Sequence, residues 1–240
     1  MLRRKFDDPA RTGALQAACL LVIACLTATG CAAEERCAGA PIVVTAASAD
    51  ESHLACSAGS DALHMLNRCG IAARRPIHVQ ISDVVRHPFS GPVFGLFDPK
   101  SERAVVTRFE NIASLVRGTP FAELPQHEFH RSLIVHEIVH VVMHQNSKRQ
   151  PRSHAAYEYP AYALQIESLS PGVRDKFLQS VPKGSASNDL LFNDFILFGD
   201  PFFFAARAYE HFKAPANPCS HLLALLEGEV AFIPALPLSQ

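Results

Sequence analysis

Residues 132–144 read Ser-Leu-Ile-Val-His-Glu-Ile-Val-His-Val-Val-Met-His, an almost unbroken apolar run. A helix that is apolar on every side belongs in a core, so the fold has to be built around this segment. Within it, His136, Glu137 and His140 fit the pattern H-E-x-x-H. At about 3.6 residues per turn, that spacing sets two imidazoles on one face, one turn apart, where they can grip one ion. Glu137 stands beside the first imidazole and can reach a metal-activated water instead of the metal. Two neutral His ligands, a carboxylate general base and an open coordination position make up the zinc-protease arrangement. The competing reading is a core helix whose two His and one Glu hydrogen-bond one another. A buried carboxylate needs a partner, and a metal centre supplies one.

A catalytic zinc needs a third protein ligand. His144 lies about 12 Å along the helix axis from His136 and cannot share the ion. Met143 and Asn146 stand where the extended metzincin motif carries Gly and His. The preferred candidate is Glu158, 18 residues past His140 and beyond a polar turn at 146–152, on a helix folding back antiparallel. Its other reading is a solvated carboxylate favoured by a helix dipole. His154 is the second candidate. Pro160 is awkward inside a helix, so this helix is expected to start near Tyr159 or to kink there.

Three of the four tyrosines, Tyr157, Tyr159 and Tyr162, crowd around Glu158. A phenol beside the metal can hold the oxyanion of a tetrahedral intermediate, and Tyr162, one turn past Glu158, is the expected donor. The plainer reading of each tyrosine is packing at a helix–helix contact. Tyr209 and His211 are more distant donors with a structural reading. Asp194 and Asp200 could each orient a ligand imidazole, although Asp200 before Pro201 reads first as a helix N-cap.

H-E-x-x-H at His136, Glu137 and His140, followed by Glu158 on a next helix, resembles the gluzincin type of zinc metallopeptidase over roughly residues 126–169. The stretch Glu158-Tyr159-Pro160-Ala161-Tyr162-Ala163 also looks like that of uncharacterised exported bacterial H-E-x-x-H proteins. The resemblance implies a zincin-like fold, Zn2+ held by His136, His140 and Glu158, and a peptide or protein substrate. The thermolysin-like second-domain His and the Asn-Glu-x-x-Asp motif are absent, so neither activity nor substrate is inherited. A non-catalytic zinc-binding or scaffold protein of the same fold is the alternative.

The remaining chain frames this helix. Residues 41–46 and 76–85 read as strands, and 91–97 with 103–108 as a hairpin that could offer an edge strand to an extended peptide. A helix is expected over 48–69, stopped at Gly70, with Gly59 a place where it could break in two. Residues 109–116 suggest a short helix, 126–145 the motif helix, and 153–169, 171–181, 201–212 and 220–228 the rest. Strands first and helices after give α+β: a sheet lobe over 34–125 and a helical lobe over 126–240 within one domain.

Residues 1–33 have a basic start, an apolar run at 14–26 and small residues after it, the pattern of an export signal. Ala28-Thr29-Gly30-Cys31 resembles a lipobox, which would attach the protein to a membrane through a lipidated Cys31; cleavage after Ala33 is the alternative. Of seven cysteines, Cys37, Cys56, Cys69 and Cys219 lie beyond the signal. An even count in an oxidising compartment implies up to two disulfides, with three possible connectivities. A formal net charge of −1 gives no electrostatic case for nucleic acid.

Overall fold

The computed structural model describes residues 33–88, 91–149, 153–183, 189–214, 219–230 and 232. The export signal and the lipobox lie outside these residues, except that Ala33 opens the first strand. The architecture is α+β, a small mixed sheet with eight α-helices among the described residues.

The sheet is formed by β1 (Ala33–Arg36), β2 (Ile42–Ala46), β3 (Ile77–Ser82), β6 (Gly95–Asp98) and β7 (Arg103–Thr107), in the order β1-β2-β3-β7-β6. β2, β3 and β7 run parallel, while β1 and β6 lie antiparallel on the two edges. Strand β1, a charged tetrapeptide without apolar alternation, carried no sequence signal. The strand expected over 91–97 is two strands parted at Phe94. β5 (Gly91–Val93) pairs with β4 (Val85–His87) in a separate ribbon, and only β6 joins β7.

Helix α1 (Ala49–Asn67) begins with a full capping box between Ser48 and Glu51. It runs unbroken through Gly59, which is a packing site rather than a break. A Cβ there would collide with Ile42 Cδ1 and lie 3.0 Å from Ile138 Cδ1, so the missing side chain lets α1 settle where the sheet meets the motif helix. That helix, α3 (Gln126–Asn146), follows α2 (Phe109–Leu115) and a 3-10 turn at Pro120–Glu123. Fifteen of its residues are buried, from Phe129 to Gln145. It packs against β6, β7 and α1 on one side and α4 (His154–Glu167) on the other.

Pro160 does not start the helix: α4 begins at His154 and continues through it. The reason lies upstream. Ser153 Oγ accepts from Ala156 N and Asp194 Oδ1 accepts from Ala155 N, so the first turn is capped before Pro160 is reached. Pro160 then removes a single backbone hydrogen bond. α5 (Pro171–Ser180), α6 (Asp194–Gly199), α7 (Pro201–Lys213) and α8 (Cys219–Glu227) complete the helical part. Disulfides join Cys37 to Cys56 and Cys69 to Cys219, the second tying the end of α1 to the start of α8.

Candidate metal centre

α4 crosses α3 antiparallel, with Arg131 Nη1 donating to Ser168 O at one end and Glu158 meeting both motif histidines nearer the other. His136 Nε2 lies 3.2 Å from Glu158 Oε2, His140 Nε2 lies 3.5 Å from Glu158 Oε1, and the two Nε2 atoms are 3.1 Å apart. Ligands held tetrahedrally about 2.0–2.1 Å from a zinc ion sit about 3.3 Å from one another, so these atoms already have the spacing of a coordination shell. Among the described residues, His136, His140 and Glu158 are the group of three that could hold a metal ion. The donor set fits one: two imidazole nitrogens and a carboxylate, buried or half-buried and turned to a common point.

Protonation follows the same geometry. His136 Nδ1 is 2.9 Å from Gln165 Oε1, a carbonyl acceptor, so Nδ1 carries the proton and Nε2 keeps its lone pair for a metal. Gln165 is itself held by Nε2 donating to Ser132 Oγ, and Ser132 Oγ donates to Phe129 O. No sequence reading singled out Gln165. Its signal was its position two turns past Glu158, on the same helix face as Glu158 and Tyr162. Burial works to raise the Glu158 pKa, but the charges and hydrogen bonds of His140 and His136 outweigh it and hold the carboxylate ionised. Burial lowers His140 against the pull of Glu158. Burial also works to lower His136, yet Glu158, Glu137 and Gln165 together leave it raised.

Glu137 points between α3 and β6 instead of joining the three ligands. Burial pushes its pKa up to about 8; the charge on His136 opposes the rise and that on Glu158 adds to it. Its Oε2 is buried without a hydrogen-bond partner among the described residues. A carboxylate in that condition is suited to exchanging a proton near neutrality.

The three clustered tyrosines part company. Tyr162 packs edge-on against His136, ring centroids 4.7 Å apart, and Tyr157 stacks on His140 at 4.2 Å. Burial, then the charges of Glu158 and Glu137, raise both phenols, so each keeps its proton through the neutral range. Tyr159 faces the opposite side, fully buried, its hydroxyl 2.7 Å from His211 Nδ1. His154 is exposed on the cleft rim, 3.4 Å from Asp194, and lies outside the converging group. Asp194 caps α4 and orients neither ligand imidazole. Asp200 caps α7, accepting from Phe203 N.

The site opens into a cavity of about 430 Å3. Residues 93–97, which include strand β6, form one wall, with Tyr157 and Tyr162 on the facing side. Phe94, Phe121, Leu133 and Phe202 close one end, where the Phe121 ring lies 5.0 Å from Phe202 and 6.5 Å from Phe94. Phe202 is thus a half-buried pocket residue, while Phe204 belongs to the core. Among the described residues the lining contains neither Lys nor Arg.

Over residues 42–235 the chain matches a family of unknown function, DUF6639, and it belongs to that family. The matched span contains all of His136, Glu137, His140, Glu158, Tyr162 and Gln165. No curated protein and no solved structure matches the chain.

Proposed function

We propose that this member of the DUF6639 family is an exported zinc-dependent hydrolase, a metallopeptidase of zincin-like, gluzincin-type fold. The observation that carries the reading is the coordination-shell spacing of His136 Nε2, His140 Nε2 and Glu158 beside a buried Glu137 whose Oε2 has no hydrogen-bond partner among the described residues. The order of the parts supports the fold: a mixed sheet with an antiparallel edge strand, the motif helix beneath it, and a glutamate on the next helix. Two disulfides support export to an oxidising compartment.

When bound, zinc would supply Lewis-acid polarisation of the scissile carbonyl and acidify the attacking water. Gln165 holds the His136 tautomer, and Glu158 supplies the anionic ligand. Glu137 takes the proton of the attacking water and returns it to the leaving amine. Tyr162, kept protonated by its surroundings, donates to the developing oxyanion. β6 is the last strand on its side of the sheet. Phe94 O accepts from Thr107 N, so ladder alternation turns the backbone groups of Gly95 and Phe97 away from β7, toward the side on which an extended peptide would lie. The apolar end of the cavity suits a bulky apolar side chain.

The test is metal content and turnover of residues 34–240 purified from an oxidising compartment. One zinc per chain, lost in His140→Ala and in Glu158→Ala, together with peptide hydrolysis abolished in Glu137→Gln at full zinc content, is the expected result. Full activity in Glu137→Gln would refute the mechanism. Bound zinc without hydrolysis of any peptide would leave a zinc-binding protein.

A further inference from the structure

Gly39, Gly70, Gly91, Gly118 and Gly228 adopt positive φ, the region in which glycine is chosen for its backbone. Gly95 does not. It lies in β6, paired opposite Val106, where glycine weakens a strand and any β-branched residue would serve the backbone better. The reason for glycine there must come from a neighbour.

That neighbour is Glu137. A Cβ on Gly95 would lie 2.8 Å from both Cγ and Cδ of Glu137 and closer still to Oε1, and its three nearest atoms all belong to that one side chain. Carbon atoms in contact sit about 3.5–4.0 Å apart, so the two groups cannot share the space. Glu137 has little room to yield, being 6% exposed on a helix packed against β6 and α4. Nor does a hydrogen bond fix its outer oxygen, since Oε2 has no partner among the described residues. Its carboxylate is therefore held by the shape of a slot whose wall is the bare backbone of β6.

We propose that Gly95 is a positioning residue for Glu137: by carrying no side chain it reserves the slot between β6 and α3 in which the carboxylate stands. The edge strand that borders the cleft thereby also sets the place of the base. The packing claim stands by itself; its catalytic consequence rests on the reading of Glu137 as general base.

Thermal unfolding of the full mature chain in a two-by-two cycle separates the two. With Glu137 present, Gly95→Ala overpacks the slot and should lower Tm by about 2–10 °C. In the Glu137→Ala background, where Cγ, Cδ and both oxygens are gone, the same substitution should move Tm by no more than about 1 °C. Zinc content should be unchanged throughout, because no ligand is touched. If Glu137 instead swings out and spares the stability, Gly95→Ala should lower kcat about 100-fold at unchanged KM and zinc content. An equal Tm loss in both backgrounds would assign the effect to the strand backbone and overturn the proposal. So would a Gly95→Ala protein that keeps both Tm and kcat. Should the unsubstituted protein hydrolyse nothing, the hydrolase reading fails separately and the stability cycle alone decides the role of Gly95.

Discussion

Replacing Gln165 by Leu removes one hydrogen-bond acceptor from the candidate metal centre while nearly conserving volume at a position that is 1% exposed. In the intact site, Gln165 Oε1 sits 2.9 Å from His136 Nδ1 and holds the proton there. Without that acceptor, a buried N–H is left unsatisfied, at about 1–3 kcal/mol. The imidazole can recover by moving its proton to Nε2, which faces Glu158 Oε2 at 3.2 Å. That tautomer makes a good hydrogen bond and blocks the nitrogen that should bind metal, so the penalty falls on metal affinity. Loss of a partner of this kind typically weakens binding about 10–100-fold, or about 1.4–2.7 kcal/mol, the same range as the unsatisfied donor. Competition against a chromophoric chelator would measure it: zinc Kd should rise about 10–100-fold in Gln165→Leu and stay the same or fall in Gln165→Glu, which keeps an acceptor. Ser132→Ala, removing only the longer 3.3 Å contact to Gln165 Nε2, should change Kd by less than about threefold. A folded Gln165→Leu protein within about threefold of the unsubstituted Kd, or a Gln165→Glu protein as weak as Gln165→Leu, would refute the tautomer argument.

Tyr162→Phe should lower kcat about 100-fold at full zinc occupancy, whereas Tyr159→Phe should spare kcat and lose about 1 kcal/mol of stability with its His211 contact; equal kcat in the two variants would remove Tyr162 from the mechanism. The two disulfides should differ in worth, because Cys69–Cys219 spans 150 residues and Cys37–Cys56 spans 19. Loop-closure entropy gives about 5 and about 3 kcal/mol, so urea unfolding of the Cys219→Ala variant should show the larger loss. In protein stripped of metal, the raised pKa of Glu137, about 8 against an ordinary 4.5, means that the native state binds the extra proton. Its contribution to stability is then fully present below pH 4.5 and lost as pH climbs through 8, by up to about 1.4 kcal/mol per unit. The stability difference between the unsubstituted protein and Glu137→Gln should fall across that window, and a flat difference would contradict the assigned burial.

His136, Glu137 and His140 were legible because helical spacing alone brings i and i+4 together, and the apolar residues between them declare the helix buried. Glu158 was legible in part: a polar turn followed by a second helix implies an antiparallel return, but the depth of the crossing depends on α1, α3 and α4 packing around one another. Gln165 repeats the face of Glu158 two turns on, yet nothing in the chain says that this face meets His136. The span 153–169 anticipates α4 (His154–Glu167), whereas Pro160 argues for a start near Tyr159; Asp194, which helps the helix begin earlier, is remote in sequence. The split at Phe94 was hidden for a similar reason, since which strand each half joins depends on β4 and β7, not on residues 91–97.

What the amino-acid order determines alone is whatever one helix or one strand can express: the motif pair, the buried character of α3, the cap at Asp200, the even cysteine count. Tertiary structure decides the pairing of those cysteines, the third donor at coordination distance, the tautomer of His136 and the need for glycine at 95. Each of these is a relation between segments far apart in the chain. Hydrogen bonds, disulfides and steric exclusion act over a few ångströms, so they exist only once packing has brought both partners into place.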